Sequence, residues 1–128
     1  MQIMKSLTHY IKEKLVIKKS KHYKYFPKSK EELEAIINRR IKTEGNEVDL
    51  NDIDVSNITN MSNLFEDLDF NGDISNWDVS NVENMSDMFS GCKTFNQDIS
   101  DWDVSKVKYG SNIFYNCPIE EKYKPKFK

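Results

Sequence analysis

The sequence predicts an α/β repeat solenoid of about three 24–25-residue strand–turn–helix units, closed on its N-terminal side by a helical cap. Two observations carry that expectation. An eight-residue block at 49–56 (DLNDIDVS) returns at 73–80 (DISNWDVS) and again at 98–105 (DISDWDVS), at offsets of 24 and 25 residues. After each copy comes a second block with apolar residues three or four apart. These are Ile58, Met61, Leu64 and Phe65, then Val82, Met85, Met88 and Phe89, then Val107, Ile113 and Phe114, with Gly110 in the methionine's place. Repeats of this kind bury their apolar faces on one another, so no unit needs a large core of its own. That suits a chain of 128 residues with 38% hydrophobic and 31% charged side chains.

The two blocks have different periods. In the first, Trp77 and Val79 alternate around Asp78, as in a short strand with one buried face. In the second the spacing is that of one or two helical turns, and Ser80 with Glu83 has the form of a capping box. The chain returns through Phe70-Asn71 and Phe95-Asn96. Stacked units place equivalent side chains in columns: Leu50/Ile74/Ile99, Ile53/Trp77/Trp102, Val55/Val79/Val104, Ile58/Val82/Val107 and Phe65/Phe89/Phe114. Met61 and Met85 pair on the helix side, and Leu68, Cys92 and Cys117 form a further column, read as buried thiols beside a leucine.

Residues 1–47 are the expected N-terminal α/β cap. Ser6 opens a helix carrying Leu7, Ile11 and Leu15, and two extended stretches follow at 15–17 and 23–26, the second stopped by Pro27. Ser29 and Glu32 form a capping box for a helix with Leu33, Ile36, Ile37 and Ile41 on one face, which Gly45 ends. Residues 48–117 make up the repeat solenoid, and 118–128 a basic C-terminal tail expected to fray.

The net charge of −2 conceals three blocks. Residues 1–47 carry twelve Lys/Arg against six Glu, residues 48–103 thirteen Asp/Glu against Lys93 alone, and residues 104–128 six Lys against two Glu. The balances are +6, −12 and +4. An acidic body thus lies between basic ends.

The runs WDVSNVENMSDMF and FNQDISDWDVSKV resemble the BspA-like leucine-rich repeats, over about residues 48–117. The resemblance implies a short leucine-rich-repeat-like solenoid with a role in adhesion or protein recognition, and no catalytic residues. The chain departs from that family in having only about three units and no export signal, and by analogy such a short intracellular form is of the type found on phages and mobile elements.

Little in the residues points to catalysis. The only histidines, His9 and His22, lie in the cap with no motif pairing them to a nucleophile. Asp67, Asp69, Asn71, Gly72 and Asp78 match the spacing of a calcium loop, but Asp78 replaces the usual bidentate Glu and lies in a repeat strand, so no metal or cofactor is expected. No apolar run reaches the length of a membrane span, and the N-terminus does not read as a signal peptide, so a cytoplasmic location in a bacterial host is expected. Lys12, Lys14, Lys18, Lys19, Lys21 and Lys24 beside Tyr23, Tyr25 and Phe26 read as a solvated face rather than a direct nucleic-acid site.

The acidic body is the expected binding surface. With Trp77 and Val79 inward, Asp54, Asp78 and Asp103 form one outward column, and Asp52, Asn76 and Asp101 the next. Two readings of the first column stay open. Its aspartates either bond N–H groups of the following Ser-Asn turn or form an acidic strip for a partner. The expected function is a non-catalytic protein–protein interaction module binding a basic or nucleic-acid-binding protein. Alternatives are a mobile-element inhibitor of a host nucleic-acid-binding defence protein, acting as an acidic mimic, and a surface adhesion fragment.

Overall fold

Asparagine, aspartate and glycine at fixed places decide how this chain winds. The computed structural model describes residues 23–127. The helix expected from Ser6, the extended stretch 15–17, the lysines before residue 23 and both histidines lie outside them. The described residues contain one α-helix, α1 (Lys30–Glu44), and one 3-10 turn, Glu121–Tyr123. They contain no regular strand and no sheet. Strand-like pairing is limited to three isolated parallel bridges, Tyr25 with Ile53, Asn60 with Asn84 and Asn84 with Tyr109. The expected α/β solenoid of strand–turn–helix units, leucine-rich-repeat-like in kind, is therefore corrected: the repeats are coils made of consecutive turns.

The second block shows why no helix forms. Asn63 and Asp67, Asp87 and Gly91, and Asn112 and Asn116 all have φ between 55° and 72°. A right-handed helix cannot run through a left-handed residue, and Gly, Asn and Asp take that conformation at least cost. The residues between them close turns, such as Leu64 N–H to Met61 O at 3.3 Å and Met88 N–H to Met85 O at 3.1 Å. Such turns also bring an apolar side chain inward every three or four residues, which is the period that read as helical. The Ser80–Glu83 box does not form, because Ser80 Oγ donates to Asp78 Oδ1 at 2.6 Å.

The first block also bends too soon to be a strand. Trp77 N–H donates to Ile74 O and Trp102 N–H to Ile99 O, both at 3.1 Å. A second turn follows at once, with Val82 N–H on Val79 O at 2.9 Å and Val107 N–H on Val104 O at 3.1 Å.

Alternate amides join one coil to the next. The N–H groups of Met61, Asn63, Phe65 and Asp67 donate to the carbonyls of Asn84, Ser86, Met88 and Ser90 at 2.8–3.0 Å. Those of Met85, Asp87, Phe89 and Gly91 donate to Tyr109, Ser111, Ile113 and Tyr115 at 2.8–2.9 Å. Inside this frame the aromatic columns stack. Phe89 lies between Phe65 and Phe114, with ring centroids 5.3 and 5.7 Å away, and Phe70 faces Phe95 at 6.1 Å. Trp77 and Trp102 are parallel to within 3°, and their indole N–H groups donate to Leu50 O and Ile74 O at 2.9 and 3.1 Å. The columns through Leu50, Ile53, Val55 and their counterparts are buried in all three coils, while Val107 and Phe114 are half-buried in the last. Cys92 and Cys117 are free thiols with Sγ 3.5 and 3.7 Å from Phe70 O and Phe95 O. Burial pushes the Cys92 thiol up to about 12, which leaves it unreactive near neutral pH.

Helix α1 begins where the sequence places it: Ser29 Oγ accepts from Glu32 N–H at 3.1 Å, and Gly45, at φ 97°, ends it. It sends Leu33 and Ile37 fully into the core. Arg40, only 6% exposed, fixes the helix to the first coil. Its guanidinium pairs with Glu44, donates to Asp52 Oδ1 at 2.8 Å and lies 4.9 Å over the Tyr25 ring. Burial alone would lower its pKa, but the hydrogen bonds it donates to Glu44 and Asp52 raise it instead. The C-terminal tail, expected to fray, is anchored at two points although most of its described residues are exposed. Ile119 and Pro125 are buried, and Ile99 N–H donates to Tyr123 O at 3.0 Å.

Two substitutions test this account. A Cβ on Gly91 would sit 2.0 Å from Asp67 Oδ1 on a backbone already at φ 72°, so Gly91→Ala is expected to lower unfolding free energy by about 2 kcal/mol or more. Arg40→Ala leaves Asp52 without its cation and is expected to lower it by about 2–3 kcal/mol. Urea titrations of both variants measure the losses, and an unchanged midpoint in either refutes the corresponding contact.

Candidate functional site

The repeated Asp-x-Ser triplets set the geometry of the acidic face. A carboxylate two residues before a serine can accept both the backbone N–H and the hydroxyl of that serine, closing an Asx turn. Asp54 Oδ1 takes Ser56 N–H and Oγ at 3.0 and 2.6 Å, and Asp78 Oδ1 takes those of Ser80 at 3.1 and 2.6 Å. Asp103 Oδ1 takes Ser105 N–H at 3.0 Å. A second row behaves likewise: Asp73 and Asp98 each hold the N–H and hydroxyl of Ser75 and Ser100, and Asp49 holds Asn51 N–H at 2.8 Å. In each turn the serine holds one carboxylate oxygen, which fixes the carboxylate in place.

The other expected column is not uniform. Asp52 is half-buried and committed to Arg40, while Asp101 is exposed. Asn76 is exposed and ties the coils through its backbone, donating its N–H to Asn51 Oδ1 at 2.9 Å. The face therefore comprises the Asp54/Asp78/Asp103 column with Asn76 and Asp101 beside it, and Asp52 turned to structure.

Two further contributors adjoin this face, and the first, Tyr23, reads from the sequence only as part of a solvated basic face. Tyr23 stands against the column: its phenol is pushed upward by burial and then by the charges of Asp54 and Asp78. Asparagine links coils at the other edge. Asn71 Oδ1 accepts Asn96 N–H at 2.8 Å, Asn96 Oδ1 accepts Glu120 N–H at 2.9 Å, and Asn81 Nδ2 donates to Ser56 O at 2.9 Å. The Phe-Asn repeat at 70–71 and 95–96 was the available signal for part of this. The calcium-loop residues are drawn into the same network. Asp69 accepts from Asn46 Nδ2 and Thr94 Oγ1 at 3.0 and 2.8 Å, and no helix follows Asp78. Among the described residues no group of three or more His, Cys, Asp or Glu is placed to share an ion.

The serines make the turn carboxylates unusually acidic at two positions. Burial alone would raise Asp73, but the N–H and hydroxyl of Ser75, with Asn51, hold it below the ordinary aspartate value. The hydroxyl and N–H of Ser100 lower Asp98 in the same way. A carboxyl more acidic folded than unfolded stabilises the fold above its unfolded value, and that contribution disappears as pH falls through the folded value. Urea midpoints are thus expected to drop below about pH 4, the unfolded aspartate value. Asp73→Asn with Asp98→Asn keeps both acceptors and should flatten that drop; pH curves parallel to the parent would refute the assignment.

The family model described as "Mycoplasma protein of unknown function, DUF285" matches residues 32–122. That span takes in nearly all of α1, the three coils and the start of the 3-10 turn. No curated protein and no solved structure matches the chain. With most of its length inside the family model, the chain belongs to the Mycoplasma protein family of unknown function DUF285.

Proposed function

We propose that this protein is a non-catalytic protein-interaction module that engages a basic partner through the acidic face of its coils, in the cytoplasm of a bacterial host. The observation that carries this reading is the −12 balance of residues 48–103, set on carboxylates pinned by their own serines. Groups fixed before an encounter lose little freedom on binding. A field of one sign speeds the approach of an oppositely charged surface over about a Debye length of 8–10 Å.

The likeness of the W-D-V-S and M-F runs to BspA-like repeats supports recognition rather than chemistry. The inhibitor reading is a special case: an acidic body of this kind suits the nucleic-acid groove of a defence protein, whose lysines and arginines it would meet in place of phosphates. Among the described residues no helix is long and apolar enough to cross a membrane.

The test separates charge from turn chemistry. Asp54→Asn, Asp78→Asn and Asp103→Asn together keep an acceptor in each Asx turn and remove three charges. Proteins retained from host lysate by the parent at low salt, and released at physiological salt, are expected to be lost or markedly reduced with the triple variant, while its thermal midpoint stays near the parent's. Retention that ignores both salt and the substitutions overturns the reading.

A further inference from the structure

The ladder that joins the coils is left open at its last rung. In the first two coils, every second amide of the second block donates to the coil below. The equivalent amides of the third coil belong to Gly110, Asn112, Phe114 and Asn116. None of these four N–H groups meets an acceptor among the described residues, and the first, second and fourth of these residues are exposed. Residues 119–125 close the neighbouring half of that coil, where Glu120 N–H reaches Asn96 Oδ1 and Tyr123 O receives Ile99 N–H, and stop short of this row.

A groove of about 830 Å³ lies between this open block and the tail. Val107, Ile113, Phe114 and Phe127 give it an apolar floor and side. Its charged lining is Lys108, Lys122, Lys124 and Lys126 against Glu121 alone. Three of the lysines hold surface acids, Lys108 on Glu83 at 3.3 Å, Lys122 on Glu120 at 3.8 Å and Lys124 on Glu121 at 2.7 Å. The pairs of Lys108 and Lys122 are exposed and contribute little, so incoming carboxylates can exchange with them, while Lys124 is part-buried with its Nζ 5.3 Å over the Phe114 ring.

We propose that this end of the stack is a docking groove for an acidic, turn-forming segment of a partner protein, which lies on the third coil as a fourth. Its carbonyls accept from the four open amides, one apolar side chain enters the groove beside Phe114 and Phe127, and its carboxylates meet the lysine rim. This mode is the turn-coil counterpart of strand addition to a sheet edge, in which backbone bonds give affinity and side-chain pockets give specificity. The lysine rim selects an acidic segment over a neutral or basic one. Two copies meeting face to face at this end would oppose donors to donors, and α1 packs on the first coil, where Arg40 donates to Asp52. The groove borders the acidic face at Ser105, which Asp103 holds, but is opposite to it in charge, and its test uses different substitutions and a different probe.

The probe is a synthetic peptide of residues 81–91, which carries Glu83, Asp87 and the Asn, Asp and Gly that wind a coil, with a Glu83→Lys, Asp87→Lys peptide as control. Titrated into the ¹⁵N-labelled full chain, the acidic peptide is expected to slow exchange at the amides of Gly110, Asn112, Phe114 and Asn116. Lys108→Glu with Lys126→Glu is expected to weaken its binding about tenfold. Unchanged exchange at the four amides overturns the proposal, as does equal binding of the control peptide. A concentration-dependent dimer that protects the same amides without peptide would assign the end to a second copy and also overturn it.

Discussion

A chain wound from turns cannot satisfy its own backbone, and that constraint governs everything else in this molecule. A turn uses one N–H and one C=O out of several, and the rest must find partners wherever water is excluded. Here they find them one repeat away, through amides of alternate residues reaching the carbonyls of the following coil. No coil is complete alone. Stacking is thus a condition of folding rather than a way of arranging finished units, and it puts Phe65, Phe89 and Phe114 in one column before their own attraction adds to it.

Aspartate serves two ends within this frame. Each carboxylate in the Asp-x-Ser turns replaces a backbone acceptor locally, so an Asx side chain is used where the chain bends, and in these turns it is aspartate. The same requirement recurs in every coil and accumulates negative charge on one body. The electrostatic character of the face therefore follows from how the backbone turns, and a partner able to read it would be reading the repeat itself. Arg40 marks the place where this surplus is drawn into packing, because Asp52 of the acidic body turns inward to meet it.

The repeat and most of its core were legible in the sequence because burial depends on side-chain period alone. Leu50, Ile74 and Ile99 are fully buried whether the chain is called strand or turn. Helix α1 was legible for the same reason, aided by Ser29 and Gly45. Backbone conformation was misread where two structures share a period. Met61 to Phe65 and Met85 to Phe89 have helical spacing, but Asn63 and Asp67, Asp87 and Gly91, and Asn112 and Asn116 form pairs four residues apart that take the left-handed conformation. The Asx role of Asp54, Asp78 and Asp103 was one of two open readings, and their bonds to Ser56, Ser80 and Ser105 do not exclude the other. The engagement of Arg40 with Asp52 and Tyr25 had no sequence signal, since it depends on how α1 lies on the first coil.

The tryptophans bear on a hazard specific to near-identical coils, which is alignment with the wrong neighbour. Ile53 occupies the position that Trp77 and Trp102 fill in the later coils, and each indole N–H binds a carbonyl of the coil before it. A slip of one whole repeat that made Trp77 the leading residue would leave its buried N–H without an acceptor, at a cost of about 1–3 kcal/mol. The pair thereby works as an address label, letting the chain tell its first coil from its second while the stack is still assembling.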